Sequence, residues 1–292
     1  MKKPILVTGA NGFTGKFVCL ELLKRKIPFI AVLSPNGDPS WMKNNSIEYK
    51  NIDINDVVKM QEILQSCSSL LNVASIGFGA APSIVEACEK SGIKRAIFVS
   101  TTSIYTKLNA PSKSIRLSAE RSIIKSKLNW TIFRPTMIYG TEDDRNMIRL
   151  IKWIHKKKYI PIFGNGKSLQ QPIFVKDLAW SLVEILDNKS TYFKSFNLSG
   201  KQALTFLEVI DTIEKHLNKK TFKFFLPAKF IVFVLLLLEK IGLKFPIKAE
   251  QIMRLNENKS FNHNEAKLIF NYSPTSFKKG ILKEIRNYLK LG

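Results

Sequence analysis

The sequence is short of the residues from which many reactive sites are built. Its 292 residues hold three cysteines and three histidines. Cys19, Cys67 and Cys88 are odd in number, widely spaced and without a C-x-x-C pair. That argues against a disulfide scaffold and for buried thiols in a reducing compartment. His155, His216 and His263 do not cluster, so no zinc-type ligand spacing exists and no metal is expected. Acidic residues are scarce as well: 23 Asp and Glu face 46 Lys and Arg, a formal charge of +23. Of this, +8 lies in residues 1–145 and +15 in residues 146–292. The longest apolar run, Phe230–Leu238, has nine residues, far too few to cross a bilayer at about 1.5 Å per residue. Met1-Lys2-Lys3 leads at once into an apolar strand, so no secretory leader is expected and the expected location is cytoplasmic.

What remains is the composition of an ordinary globular protein, 45% hydrophobic and 24% charged. The first half alternates short β-rich runs with helical patterns, the mark of a parallel sheet covered on both faces. Strands are predicted at Ile5–Val7, Phe29–Leu33, Ile47–Ile52, Leu70–Ala74, Arg95–Val99 and Trp130–Phe133. Helices are predicted at Phe13–Lys26, Val57–Leu64, Ala81–Lys90 and Ile115–Ser126. The second half is less regular. Helical patterns at Met147–Lys156 and Val175–Leu186 flank the turn Gly164–Lys167, and Ser195–Leu198 reads as a strand. Thr205 and Glu208 have capping-box spacing ahead of a helix to about Leu217. Lys223–Leu226, a long apolar helix from Ala228 and a helix over Phe277–Leu289 complete the pattern.

The first strand runs directly into Thr8-Gly9-Ala10-Asn11-Gly12-Phe13-Thr14-Gly15 and then a helix. A βα turn that cradles a dinucleotide needs glycine for the tight turn, for approach of backbone to pyrophosphate, and for close helix–strand packing. Gly9, Gly12 and Gly15 meet those needs, and the helix N-terminus offers N–H groups to the phosphates. The expected fold is therefore α/β: a Rossmann-type doubly wound parallel sheet with a smaller C-terminal α+β substrate domain. Residues 1–145 would form the NAD(P)-binding domain, with 170–187 packing back on it. Residues 146–292 would form the smaller substrate domain, interleaved with the first.

The Gly-x-x-Gly-x-x-Gly spacing resembles the extended or atypical branch of the short-chain dehydrogenases and reductases, the NAD-dependent epimerase/dehydratase family. Further stretches are similar in order: Asp53 after the third strand, Asn72-Val73-Ala74-Ser75, Phe98–Tyr105, Trp130–Gly140 with Arg134-Pro135-Thr136, and Gln171–Ala179. The resemblance covers nearly the whole chain. It implies that Gly9, Asn11, Gly12, Phe13, Gly15, Ser34, Asp53, Ile54, Val73, Ala74, Ser75, Ser100, Arg116, Pro135 and Thr136 contact NAD or NADP. Ser34 stands where an acid would select NAD or an Arg NADP, so the choice between them stays open.

In that family a Tyr four residues before a Lys moves the proton, helped by a Ser or Thr. Thr101 matches the Ser/Thr, but Arg116 stands at the Lys place and Ser112 at the Tyr place. A serine hydroxyl without its own base is far too weak an acid for this work, and Arg116 stays charged. The catalytic candidates are thus Thr101, Arg116 and Tyr139, with Tyr105 and Lys113 as further substitutes. Two readings follow. One is an NAD(P)-dependent epimerase, dehydratase or reductase acting by hydride transfer on a nucleotide-linked or lipid-linked sugar. The other is a non-catalytic accessory or redox-sensing protein that keeps the cofactor and has lost the Tyr.

On the substrate side, Gln170 replaces the Arg with which sugar-nucleotide members hold a diphosphate. Arg254 and Lys259 are candidates for the second such contact. Phe224-Phe225-Leu226 and Phe230–Leu238 are flanked by Lys219, Lys220, Lys223, Lys229, Lys240 and Lys244. Residues 224–244 therefore read either as a buried helix or as peripheral contact with the inner face of a membrane. The expected partners are a small-molecule sugar and a second copy in a homodimer. Nucleic acid is not expected, because the basic residues show no aromatic interleaving.

Overall fold

A computed structural model describes residues 3–243 and 248–291; Lys244, named above as a flanking lysine, lies outside them. The chain runs β1 (Ile5–Thr8), α1 (Phe13–Lys24), β2 (Phe29–Leu33), α2 (Ser40–Asn44), β3 (Tyr49–Asn51), α3 (Val57–Gln65) and β4 (Ser69–Asn72). It continues through α4 (Ala81–Ser91), β5 (Arg95–Val99), α5 (Pro111–Ile124), β6 (Asn129–Pro135), β7 (Ile138–Tyr139) and α6 (Met147–Lys156). Next come β8 (Tyr159–Phe163), β9 (Leu169–Gln170), β10 (Ile173–Phe174), α7 (Val175–Glu184), β11 (Lys194–Leu198) and β12 (Leu204–Thr205). The last elements are α8 (Phe206–Leu217), β13 (Phe222–Leu226), α9 (Ala228–Lys240), α10 (Ala249–Leu255), α11 (Asn264–Phe270) and α12 (Phe277–Leu291).

Seven strands form one parallel sheet in the order β11-β6-β5-β4-β1-β2-β3. Its inner strands are apolar along nearly their whole length because both faces are covered. Val18, Cys19 and Leu22 of α1, Leu178 and Leu182 of α7 and Phe270 of α11 pack one face. Met60 and Leu64 of α3, Ile84 and Cys88 of α4, and Ala119 and Ile123 of α5 pack the other. All three thiols are buried and free, and burial pushes Cys19 up to about 12. A third core, around Ile151, Ile162, Ile210 and Ile281, joins α6, β8, α8 and α12.

The predicted α/β doubly wound fold is the observed one, and several boundaries move. The third strand shortens to Tyr49–Asn51. α5 opens at Pro111 rather than Ile115, because a first-turn proline has no N–H to leave unpaired. This puts Ser112 and Arg116 one turn apart on the same helix face. β8 was not anticipated: Pro161 interrupts its pattern, and only the remote β13 pairs with it. The second half also contributes β11 and α11 to the main sheet layer, beyond the α7 segment. Arg95 on β5 fastens this layer. Its guanidinium donates to the carbonyls of Ile185, Leu186 and Asn129 and to the hydroxyls of Thr131 and Thr191.

Candidate cofactor cavity and cationic rim

The strand order reverses between β1 and β4, and in such sheets ligands bind at the carboxyl ends of the strands at that point. Thr8 Oγ1 donates to Asn72 Oδ1 at 2.6 Å and ties the two ends together. Gly9 follows with φ +66°, and a Cβ there would lie 2.6 Å from the backbone nitrogen of Ala74. A Cβ on Gly15 would run into the carbonyl oxygen of Gly9. The Gly12 N–H donates to that same carbonyl at 3.0 Å, which closes the turn. No side chain caps α1 at Gly12, and no acid sits in its first turn. The positive end of the helix is therefore left for an anion. Asn11 Nδ2 donates to the Asp38 carbonyl at 2.8 Å, binding the turn to the loop after β2. Phe13 packs edge-on against Phe17.

Beside this turn lies a cavity of about 180 Å³ lined by Thr14, Val73, Ser75, Ile76, Val99, Ser100, Thr101, Arg116 and Ile138. Val73, Ser75, Ser100, Thr101 and Arg116 were anticipated from the sequence. Thr14, Ile76, Val99 and Ile138 were not, although Thr14 lies inside the glycine turn itself. Thr101 Oγ1 accepts from the Ser103 N–H at 3.2 Å, so its own hydroxyl proton is free to donate. Ser100 Oγ donates to Glu120 Oε1 at 2.5 Å. Glu120 is buried and gripped by Arg134 through Nε and Nη2, the latter at 2.6 Å. The Arg116 side chain lies against Gly77, where a Cβ would come within 3.1 Å of Nε. Burial, and then the charge of Arg254, pull its pKa down.

Other candidates are not brought to the cavity. Tyr139 is fully buried among Phe174, Phe277 and Gly280. Its hydroxyl has no hydrogen-bond partner among the described residues, and burial pushes the phenol far up. Tyr139 is a packing residue, which corrects its place among the catalytic candidates. Tyr105 OH is engaged by Arg134 and Asn197, and Lys113 Nζ donates to the Thr106 carbonyl at 2.6 Å. Thr136 is buried, its N–H donating to the Leu198 carbonyl and its hydroxyl to the Gln171 carbonyl. Pro135 accepts from Thr102, and neither residue lines the cavity.

Ser34 is exposed just beyond β2, its carbonyl accepting from Gly37 N and Asn51 Nδ2. Asp53 is exposed beyond β3, where Oδ1 accepts two bonds from Asn55 and holds its own turn. Ile54 packs partly against the α3 side of the core. In the loop after β7, Asp144 Oδ1 accepts from Ile148 N at the start of α6. Glu284 on α12 is fully buried, and burial, reinforced by Asp144, pushes its carboxyl up to about 10.

The substrate candidates do converge. Gln170 bridges to Lys259, whose N–H donates to the Leu169 carbonyl at 2.7 Å. Gln170 is 3% exposed, and its Nε2 has no hydrogen-bond partner among the described residues. Burial depresses the Lys259 ammonium, with Glu257 opposing and Arg254 adding to the effect. Glu257 is occupied with Thr106 Oγ1 and Lys107 N. Arg254 has only a loose pair with Glu250 at 3.6 Å. The charge of Arg254 thus acts against the protonated forms of both Arg116 and Lys259. Among the described residues no carboxylate hydrogen-bonds Arg116 or Lys259.

The NAD(P)H-binding family model matches residues 9–188. The chain is 24% identical over 264 residues to the uncharacterized UDP-glucose epimerase YtcB of Bacillus subtilis (strain 168), covering 74% of this chain and 83% of that one. It is 23% identical over 264 residues to the N-acetyl-alpha-D-glucosaminyl-diphospho-ditrans,octacis-undecaprenol 4-epimerase of Escherichia coli O157:H7, covering 78% and 76%. The fold is that of UDP-glucuronic acid 4-epimerase from Bacillus cereus, solved with UDP-glucuronic acid and NAD. The TM-score is 0.76 at 21% identity, over the whole of both chains. The glycine cradle, the seven-stranded sheet and these matches lead to one statement: the chain belongs to the NAD(P)H-binding family, with the epimerase/dehydratase pattern of the extended short-chain dehydrogenases and reductases.

Proposed function

We propose that the protein is an NAD(P)-dependent enzyme that oxidises, epimerises or dehydrates a sugar carried on a diphosphate, either a nucleotide or a lipid. The observation that carries this is Arg116 in the wall of the cavity, hydrogen-bonded by no carboxylate among the described residues, with the charge of Arg254 acting on it and on Lys259. Such an arrangement costs folding energy unless an anion occupies it, since like charges brought together in a partly desolvated place repel. The unpaired Nε2 of Gln170 adds a buried donor to the same strip. Relatives whose names specify UDP-glucose and an undecaprenyl-diphospho sugar support a diphosphate-linked sugar as the class.

The cradle fits a dinucleotide. The uncapped start of α1 would hold the pyrophosphate, and Val73, Ser75 and Arg116, in the wall of the adjoining cavity, would contact the rest of the dinucleotide. When bound, the cofactor accepts and returns a hydride. Thr101, its proton free, donates to the reacting oxygen and strengthens that bond as carbonyl character develops. With Ser112 at the Tyr position, the proton leaves through Ser100, whose hydroxyl is already bonded to Glu120. Arg116 holds its charge and positions cofactor or substrate.

The test is turnover of UDP-sugars and of an undecaprenyl-diphospho sugar, read by the epimer or keto product formed. Thr101→Val should cut kcat about 100-fold, and Ser100→Ala should cut it about 100-fold as well. Full turnover by Thr101→Val sinks the reading. Tight cofactor binding without turnover of any of these sugars moves the balance to the accessory protein.

A further inference from the structure

One side of α9 carries a row of exposed large apolar side chains. α9 packs its inner side, centred on Leu235 with Ile231, Val232 and Leu238, against Ile252 and Met253 of α10. Helical geometry places Phe230, Phe233, Leu237 and Ile241 on the opposite side. They are 62%, 59%, 49% and 69% exposed. Phe225, in the strand leading into α9, and Leu243, just after it, are also more than half exposed. An apolar patch rimmed by charge marks a site of interaction rather than ordinary surface. Lysines flank it: Lys229 and Lys240 lie on α9 itself, and Lys219 and Lys220 precede β13 in the chain. The acid of α9, Glu239, is exposed, and its Oε1 accepts from Ala249 N at 3.2 Å.

We propose that this face docks on an anionic lipid bilayer, with α9 in the plane of the interface, its aromatic and aliphatic side chains in the acyl boundary and the lysines at headgroup phosphates. The charge selects the occupant. A second copy would set Lys229 and Lys240 against a face of the same sign on a chain of net charge +23, whereas an anionic membrane complements both the patch and the whole protein. Insertion across the bilayer is excluded for α9, and no helix among the described residues is long and apolar enough to cross a membrane. Docking would bring α10, and with it Arg254, close to the headgroup layer. The docking itself stands without the sugar reading, since vesicles report it in the absence of any substrate.

The experiment is sedimentation of the full chain with vesicles of phosphatidylcholine alone and of phosphatidylcholine mixed with phosphatidylglycerol. Partition should be at least about ten-fold stronger on the anionic vesicles, at about five-fold per lysine. Phe230→Ser/Phe233→Ser/Leu237→Ser should remove it, and Lys229→Glu/Lys240→Glu should abolish the anionic preference. Dinucleotide binding by each variant serves as the check on folding. No partition of the wild-type chain onto anionic vesicles, or undiminished partition of the triple serine variant, overturns the proposal. A wild-type dimer in light scattering that the triple variant dissolves, together with no vesicle binding, assigns the face to a second copy instead.

Discussion

The glycine turn and the wall beside Thr101 belong to one cavity but are built differently. In the turn the contacts are backbone on backbone: Gly9 against Ala74, Gly15 against the Gly9 carbonyl, Gly12 bonded to that carbonyl. Each requirement is steric and local, and no side chain substitutes for hydrogen at Gly9 or Gly15. In the wall the lining comes from side chains of separate segments: Ser75 after β4, Thr101 after β5, Arg116 on α5 and Ile138 of β7. Such a wall can change its chemistry by single substitutions while the sheet stays as it is. The family's Tyr and Lys places hold Ser112 and Arg116, and the cradle beside them is intact.

The strongest way to break the comparison is Gly15→Val. A side chain driven into the Gly9 carbonyl should lower dinucleotide affinity by at least about 100-fold, measured by cofactor fluorescence, while Ser112→Ala should leave that affinity within about two-fold. If both variants bind alike, the distinction between the two regions is lost.

Next in size is Lys259→Ala. It should raise KM for a diphosphate-linked sugar about ten-fold with kcat little changed, as expected for loss of a contact made equally in ground and transition states. Because burial depresses the Lys259 ammonium, its charge is present below that lowered pKa and lost above it. Wild-type KM should therefore climb as pH rises through that value, earlier than an ordinary lysine would give, and the climb should vanish in Lys259→Ala. A pH-independent wild-type KM would count against the cationic rim.

The smallest effect concerns the joint between the sheet and the small core, where Glu284 faces Asp144. The folded chain keeps the Glu284 proton up to about 10, whereas an unperturbed glutamate releases it near 4.5. Between those values the unfolded chain binds fewer protons, so this group's contribution to stability falls as pH rises. Glu284→Gln should be the more stable protein by thermal melting. Its advantage should grow from about pH 6 to about pH 9, with roughly 1.4 kcal/mol per pH unit as a ceiling. A constant difference in Tm would show that Glu284 is not the group involved.

Much of this arrangement could be read from the residues in order. Apolar runs marked β1, β2, β5 and β6, and the glycine turn marked the cofactor end of the sheet. What escaped was decided by partners far away in the chain. β8 carries Pro161 and declares itself only by pairing with β13. Tyr139 ends its strand as a reactive tyrosine might, but Gly280 and Phe277 of α12 close over its hydroxyl. Ile138, its neighbour, faces the cavity in its place.

The sequence by itself determined the cradle and the doubly wound order of the sheet, because both rest on interactions of neighbouring residues: a φ that only glycine adopts cheaply, and apolar runs that must be covered on two faces. Only the tertiary structure decided which side chains meet beside Thr101, that Tyr139 is sealed while Arg116 is not, and which side of α9 is left bare. Those outcomes depend on contacts between separate segments, as when Gly280 and Phe277 meet Tyr139 or Glu257 reaches Thr106, and no local pattern encodes them.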